Sequence, residues 1–261
     1  MNRQSLVHGM GIRIAICQQR PVEDIGDNLR RIEGFIFQNN ADLYVFPELF
    51  LTGYRADAVY TDDIGVTVDR LRLLCNERDI AVAVGAPMPL SGGTADSFLF
   101  ITGAGTVRYD KLCPARFGLY SEQFVAGSVP VLAEFRDLKI GLAICYDAFF
   151  PELARWYAWH GADLIIYLSA SAVQSKVYFD RVLPARALEN TVYVLFCNNV
   201  GRCGKLTMAG TSRLLSPLGD TVLQMDGTEG TAFTYADRAV VLSSRKIRTH
   251  LADIPSFFRR S

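Results

Sequence analysis

The chain has 261 residues, enough for one large α/β domain or two small ones, and 50% of them are hydrophobic, enough to bury a sizeable core. Lys plus Arg and Asp plus Glu number 27 each, so no excess charge points to nucleic acid or an anionic membrane surface, and small-molecule chemistry is the default. The opening MNRQSLVHGMGIRIAIC lacks a long apolar core and Arg13 interrupts its best apolar stretch, so neither a signal peptide nor a membrane span is expected.

In chain order, residues 1–10 read as a flexible arm. The run at 12–17 is a first strand. A helix is expected at 27–38, with Asp27 as its cap and Leu29, Ile32, Phe35 and Ile36 on one face. A short apolar strand at 43–46 stops at Pro47-Glu48. Val68, Leu71, Leu74 and Cys75 mark a helix at 68–78 that leads into a buried strand at 81–86. The pattern to this point is β-α-β-α-β. Strands at 97–101 and 106–109 then flank Gly103-Ala104-Gly105, and strands at 131–135 and 139–145 flank Arg136-Asp137-Leu138, which makes two hairpins. A helix through Leu153, Trp156, Tyr157 and His160 ends at Gly161. Strands at 164–168 and 192–197 enclose a helical segment. A third hairpin pairs 213–215 with 221–225 across Pro217-Leu218-Gly219, and 239–243 is expected to be a last strand.

The chain also repeats itself. IRIAIC at 12–17, a helix and NADLYVF at 40–46 are echoed by KIGLAIC at 139–145, a helix and GADLIIY at 161–167. Two copies of a strand-helix-strand unit suggest two similar mixed sheets packed face to face with helices outside. No Pro/Gly/Ser-rich linker separates the copies, so residues 1–261 are expected to form a single domain.

The six cysteines (17, 75, 113, 145, 197 and 203) include no CxxC pair, which fits scattered reduced thiols better than zinc ligands or a disulfide framework. The stretch KIGLAICYDAFFPE at 139–152 places Cys145 where a buried strand gives way to a tight turn and a helix start. Helix N-terminal N–H groups favour a thiolate there. Alone, the residue reads first as a buried apolar cysteine, because free cysteine is among the most buried types. Cys17 holds the matching place in the other copy. It is followed by Gln18-Gln19-Arg20-Pro21 rather than a turn and helix start, and is expected to be core. The histidines (8, 160 and 250) are poorly placed to serve Cys145, so another base is needed. Glu48 and Lys111 both follow strands. Singly each reads as a solvated loop residue, but together they supply the base and the cation that a thiol needs to attack an amide. An ammonium beside them would also favour the charged forms of the carboxyl and the thiol.

These residues lie in motifs that resemble those of the nitrilase superfamily of carbon-nitrogen hydrolases: PELFLTGY at 47–54, YDKLCPARFGLYSEQFVAG at 109–127 and IGLAICYDAFFPE at 140–152, in the family's order. The resemblance continues through ARALEN at 185–190 and MAGTSRLLSPLGD at 208–220. It implies an α/β, four-layer αββα sandwich of two mixed β-sheets with outer helices, no metal or organic cofactor, and assembly as a homodimer or higher homo-oligomer. It also implies Cys145 as nucleophile, Glu48 as general base and acid, and Lys111 as stabiliser of the tetrahedral intermediate. Glu122 and Tyr54 would support the site, with the Tyr146 N–H as a second oxyanion donor. Ser169, Ala170, Ser171 and Tyr178 fall where the family shapes its pocket, and Arg116 or Arg202 are candidates to hold a substrate carboxylate. Asp147 and Glu152 read as structural. True nitrilases usually carry Cys-Trp-Glu at the nucleophile, whereas Cys145-Tyr146-Asp147 is similar to the amidase and carbamoylase branches. The expectation is therefore a cytoplasmic enzyme, without nucleic-acid or membrane partners, that hydrolyses a small linear amide or N-carbamoyl compound through a thioester. Nitrile hydrolysis by the same three residues, or a catalytically silent binding protein of the same fold, are the alternatives. A thiol-redox role is disfavoured, since no resolving cysteine lies near in sequence.

Overall fold

Strand β1 (Ile12–Gln18) shows how the layers arise. Ile12, Ile14 and Ile16 point one way, into a cluster shared with the opposite sheet, while Ala15 and Cys17 point the other way, into a cluster under helices. The same alternation runs through β2 (Leu43–Val45), β3 (Ala81–Leu90) and β4 (Gly93–Thr102), so each strand is buried on both faces and reads as a continuous apolar run. The computed structural model describes residues 11–55, 58–116 and 121–255; the expected arm at 1–10 lies outside the described residues.

The first sheet continues with β5 (Gly105–Asp110) and is closed at its other edge by a late strand, in the spatial order β14-β1-β2-β3-β4-β5, β14 being Gly230–Ala236. The second contains β6 (Leu132–Phe135), β7 (Leu138–Ile144), β8 (Leu164–Ser169), β9 (Tyr193–Asn198), β12 (Arg213–Leu215) and β13 (Thr221–Gln224). Its order is β6-β7-β8-β9-β12-β13. From β14 to β5 and from β6 to β13 the pairings follow one sequence: antiparallel, parallel, parallel, antiparallel, antiparallel. The internal repeat is thus a repeat of sheet topology, with Ile14 opposite Leu43 in one copy and Ile140 opposite Leu164 in the other.

The sheets meet face to face, β1 against β9 and β4 against β7. Helices α1 (Ile25–Gln38) and α2 (Asp62–Arg78) cover the first sheet through Ile32, Ile36, Leu71 and Leu74. Helices α3 (Pro151–Trp159) and α4 (Lys176–Asn190) cover the second through Leu153, Tyr157, Phe179 and Leu183. This is the four-layer αββα arrangement expected of the sequence. No described helix is long and apolar enough to cross a membrane.

Two local expectations are corrected and one element is added. Helix α1 begins earlier, capped by Asp24, whose carboxylate accepts the Asp27 N–H at 2.7 Å; Asp27 is a first-turn acid rather than the cap. Residues 239–243 are not a strand but part of α5 (Arg238–Ile247), because Asp237 accepts the Ala239 N–H at 2.8 Å and starts a helix that buries Val241. The closing strand β14 precedes them. A small hairpin, β10 (Val200–Cys203) with β11 (Leu206–Ala209), had no expectation at all.

One close backbone approach ties the first sheet to the functional residues. The Gly85 N–H donates to Pro47 O at 3.3 Å and the Leu51 N–H to Gly85 O at 3.1 Å, so the chain around Glu48 lies directly on β3. A Cβ at residue 85 would overlap the Leu49 amide nitrogen and come within 2.9 Å of Glu48 Cα. Gly85→Ala is expected to cost about 1–3 kcal/mol in urea unfolding and to displace Glu48. A variant as stable as the wild type would show that this approach is not needed.

Candidate active site

Three strand ends carry the expected residues to one place. Glu48 follows β2, where Leu49 turns the chain at a positive φ of 51° and Asn199 Nδ2 donates to Glu48 O at 3.0 Å. Lys111 follows β5; its N–H donates to Asp96 O at 2.9 Å and its carbonyl accepts from the Gly127 N–H at 2.9 Å. Cys145 follows β7 with φ at 44°, in the left-handed region that a side chain rarely adopts, and opens a short 3-10 helix, Cys145–Phe149. Such a backbone lifts the sulfur off the strand and persists only if the surroundings hold it.

Asp147 is the principal holder. Its carboxylate accepts from Ile144 N at 2.9 Å, Tyr109 Oη at 2.7 Å and Cys113 N at 3.0 Å, tying the Cys145 turn to the strand and loop that present Lys111. Burial pushes its pKa up to about 6 despite those donors. The structural reading of Asp147 therefore has a concrete content. Glu152 stands exposed in the first turn of α3, behind Pro151.

The Lys111 ammonium is fully buried, 2.7 Å from Glu48 Oε1, 2.9 Å from Glu122 Oε1 and 3.3 Å from Asp96 Oδ2. An ammonium has three hydrogens, and three carboxyls receive them. Burial alone would discharge the lysine, but Glu48, Glu122 and Asp96 outweigh it and hold its pKa well above the usual value. Glu122 is fixed independently, since its Oε2 accepts the Ala115 N–H at 2.9 Å and Tyr54 Oη reaches its Oε1 at 3.3 Å. Burial and the charges of Glu48 and Glu122 raise the Tyr54 pKa, keeping the phenol a donor.

Sequence reasoning missed Asp96 altogether. It lies in TADSFLF at the head of a long apolar run, and buried aspartates of this kind are rare unless paired. The one available signal was a carboxylate entering an apolar strand, which has no period or motif to mark it.

Cys145 opens onto a cavity of about 290 Å3 that Glu122 and Ala115 also line. Aromatic walls come from Tyr146, Phe149, Tyr178 and Phe179, and Ser171 and Ser175 add hydroxyls. Ser169 and the Ala170 backbone face the sulfur. Arg116 and Arg202 do not line this cavity. The Arg116 guanidinium donates to the Glu122 and Phe124 carbonyls, at 3.4 and 3.0 Å, and Arg202 borders a separate surface cleft. No basic side chain is found among the described lining residues.

The expectation that a helix start and Lys111 would favour the Cys145 thiolate is corrected, while the need for a separate base stands. Burial, and then the charge of Glu48, raise the Cys145 pKa well above that of an ordinary thiol, and Lys111 with the contacts from Ser169 and Ala170 offsets this only in part. The helix that was to favour the anion begins only at Pro151, beyond the 3-10 turn.

Comparison with known proteins bears on this arrangement. A family model described as carbon-nitrogen hydrolase matches residues 13–246. A protein described as a hydrolase in the pqqF 5' region of Pseudomonas protegens is 30% identical over 260 residues, covering 95% of this chain and 90% of its own. Omega-amidase YafV of Escherichia coli K12 is 29% identical over 232 residues, with 85% and 88% covered. The crystal structure of an amidase from Nesterenkonia sp. superposes with a TM-score of 0.79 at 26% identity, covering 95% of this chain and 98% of that one.

A protonated resting thiol has a direct optical consequence. The ultraviolet thiolate absorbance that distinguishes wild type from Cys145→Ala should be missing at neutral pH and should appear only above the range of an ordinary thiol, whose pKa is about 8.5. A full thiolate signal at pH 7 would contradict it.

Proposed function

The chain belongs to the carbon-nitrogen hydrolase family, and from that premise we propose that it hydrolyses a small, uncharged amide through a thioester on Cys145. The observation that carries this reading is the buried Lys111–Glu48 contact at 2.7 Å, held at the strand ends beside Cys145 and its cavity. A carboxylate and an ammonium in direct contact, both acting on the Cys145 thiol, support attack by a neutral thiol with Glu48 as base and Lys111 as cation.

In this reading Glu48 takes the Cys145 proton as sulfur attacks the carbonyl carbon, so the thiolate exists only as the C–S bond forms. The carbonyl oxygen becomes an oxyanion beside Lys111 Nζ, with the Tyr146 N–H as second donor. Glu48 returns the proton to the departing nitrogen, the C–N bond breaks and ammonia or an amine leaves. Water then loses a proton to Glu48 and attacks the thioester, the C–S bond breaks, and the acid departs as Cys145 regains its proton. Glu122 anchors Lys111 at 2.9 Å and lines the cavity.

An amide substrate is supported by the amidase names of the relatives and by the cavity. A 290 Å3 space walled by Tyr146, Phe149, Tyr178 and Phe179 suits a small acyl group. A substrate carboxylate buried there would meet Glu122 and aromatic rings with no cation among the described lining residues, which is costly.

Two measurements test the reading. Ammonia release should be screened across neutral aliphatic and aromatic amides, monoamides of dicarboxylic acids, N-carbamoyl amines and nitriles. Neutral amides should lead the charged monoamides by about tenfold or more in kcat/KM; a clear preference for the charged set, or for nitriles, would overturn the substrate class. Lys111→Arg should fold yet lose about 100- to 1000-fold in turnover, because a planar guanidinium cannot fill the ammonium's position among three carboxyls. Near-wild-type turnover would remove Lys111 from the mechanism.

A further inference from the structure

Glu48, Asp96 and Glu122 each bring a carboxyl oxygen within 4.8 Å of the others, and all three are buried. One ammonium serves them. Fully ionised, the cluster would bury two uncompensated negative charges, which a low-dielectric interior does not tolerate. The hydrogen bonds show where the strain falls. Both oxygens of Glu122 have donors, Lys111 and Tyr54 for one and the Ala115 N–H for the other. Glu48 Oε1 and Asp96 Oδ2 are served by Lys111. Glu48 Oε2 and Asp96 Oδ1 are buried with no partner. The two orphans belong to carboxyls that bring an oxygen each within 4.8 Å of one another.

We propose that Glu48 and Asp96 share one proton, carried on Asp96 Oδ1 and donated to Glu48 Oε2, so that Asp96 is a positioning residue for the base. One proton satisfies both orphan oxygens and removes one of the excess charges. Burial, and then the neighbouring Glu48 charge, make Asp96 a far weaker acid than usual, which places the proton on its side. The other groups facing Asp96 agree. Lys111 comes from beyond β5, Glu122 from the loop before β6 and Cys145 from across Lys111, while Pro87, its partner on β3, is uncharged. Asp110 on β5 is engaged by Ser97 Oγ at 2.5 Å and Arg108 Nε at 2.7 Å.

Two consequences follow for the reaction, on the reading of Glu48 as base. The donated hydrogen bond keeps Glu48 an oriented carboxylate, ready for the thiol proton. A neutral Asp96 is also the weakest of Lys111's three acceptors and the most distant, at 3.3 Å, so its N–H is the one free to turn to the oxyanion.

Infrared difference spectroscopy tests the shared proton without reference to turnover. Wild type at neutral pH should show the C=O stretch of a buried protonated carboxyl, and Asp96→Asn should lack it. Absence of the band, or its persistence in Asp96→Asn, overturns the proposal and leaves the proposed reaction standing. Kinetics supply the second arm. Asn can accept from Lys111 and donate to Glu48 as a protonated acid does, whereas Ala can do neither. Asp96→Ala should lose roughly ten- to hundred-fold in kcat/KM, with the acid limb of its pH profile moved to higher pH. Asp96→Asn should recover most of that loss and restore the limb. Equal impairment of the two variants would show that a charged Asp96 is needed and would contradict a shared proton.

Discussion

A buried ammonium is the constraint on which the arrangement rests. Lys111 is inaccessible to water, and an isolated charge at that depth would cost more than the fold's net stability. It is kept charged chiefly by Glu48 and Glu122, with Asp96 as the third acceptor; the three reach it from the end of β2, from the loop before β6 and from β4. Four separate pieces of the first half of the chain are thereby held to one point by charge-assisted hydrogen bonds. The second half contributes Cys145, at the end of the strand that matches β1 in the repeat. The site sits where the ends of two topologically equivalent sheets converge, and each half supplies what the other lacks.

The sulfur's environment follows from the same burial. A site that encloses Lys111 fully also makes a free thiolate unfavourable, and burial with the charge of Glu48 pushes the Cys145 thiol pKa up. Asp147 bears the mechanical part. By binding the Ile144 N–H, the Tyr109 hydroxyl and the Cys113 N–H together, it fixes the strained Cys145 backbone against the segment carrying Lys111. Gly85 and Gly127 do the corresponding work for Glu48 and Lys111, each admitting a neighbouring backbone where a side chain would collide.

Glu48 and Cys145 were legible in the sequence because each follows an apolar strand, a break in pattern that a single chain displays, whereas Lys111 follows the mixed strand GTVRYD and stood out only together with them and through its motif. The repeat of IRIAIC and KIGLAIC disclosed the two-sheet plan for the same reason, since buried parallel strands are written as continuous apolar runs. What stayed hidden depends on three-dimensional neighbours. Asp96 looks like any strand-entry polar residue until β4 is laid beside β5. The thiol's pKa is decided by burial rather than by the turn that follows it. Residues 239–243 have strand-like composition, and only the Asp237 cap, a single hydrogen bond, decides for helix.

Acylation of Cys145 by these groups acting as one unit, as proposed, is open to a rapid quench with intact-protein mass spectrometry on a turned-over neutral amide. The expected result is a burst of ammonia ahead of acid, matched by an adduct of the acyl group's mass that maps to Cys145. Release of ammonia and acid in step, with Cys145 unmodified at every time point, would contradict it.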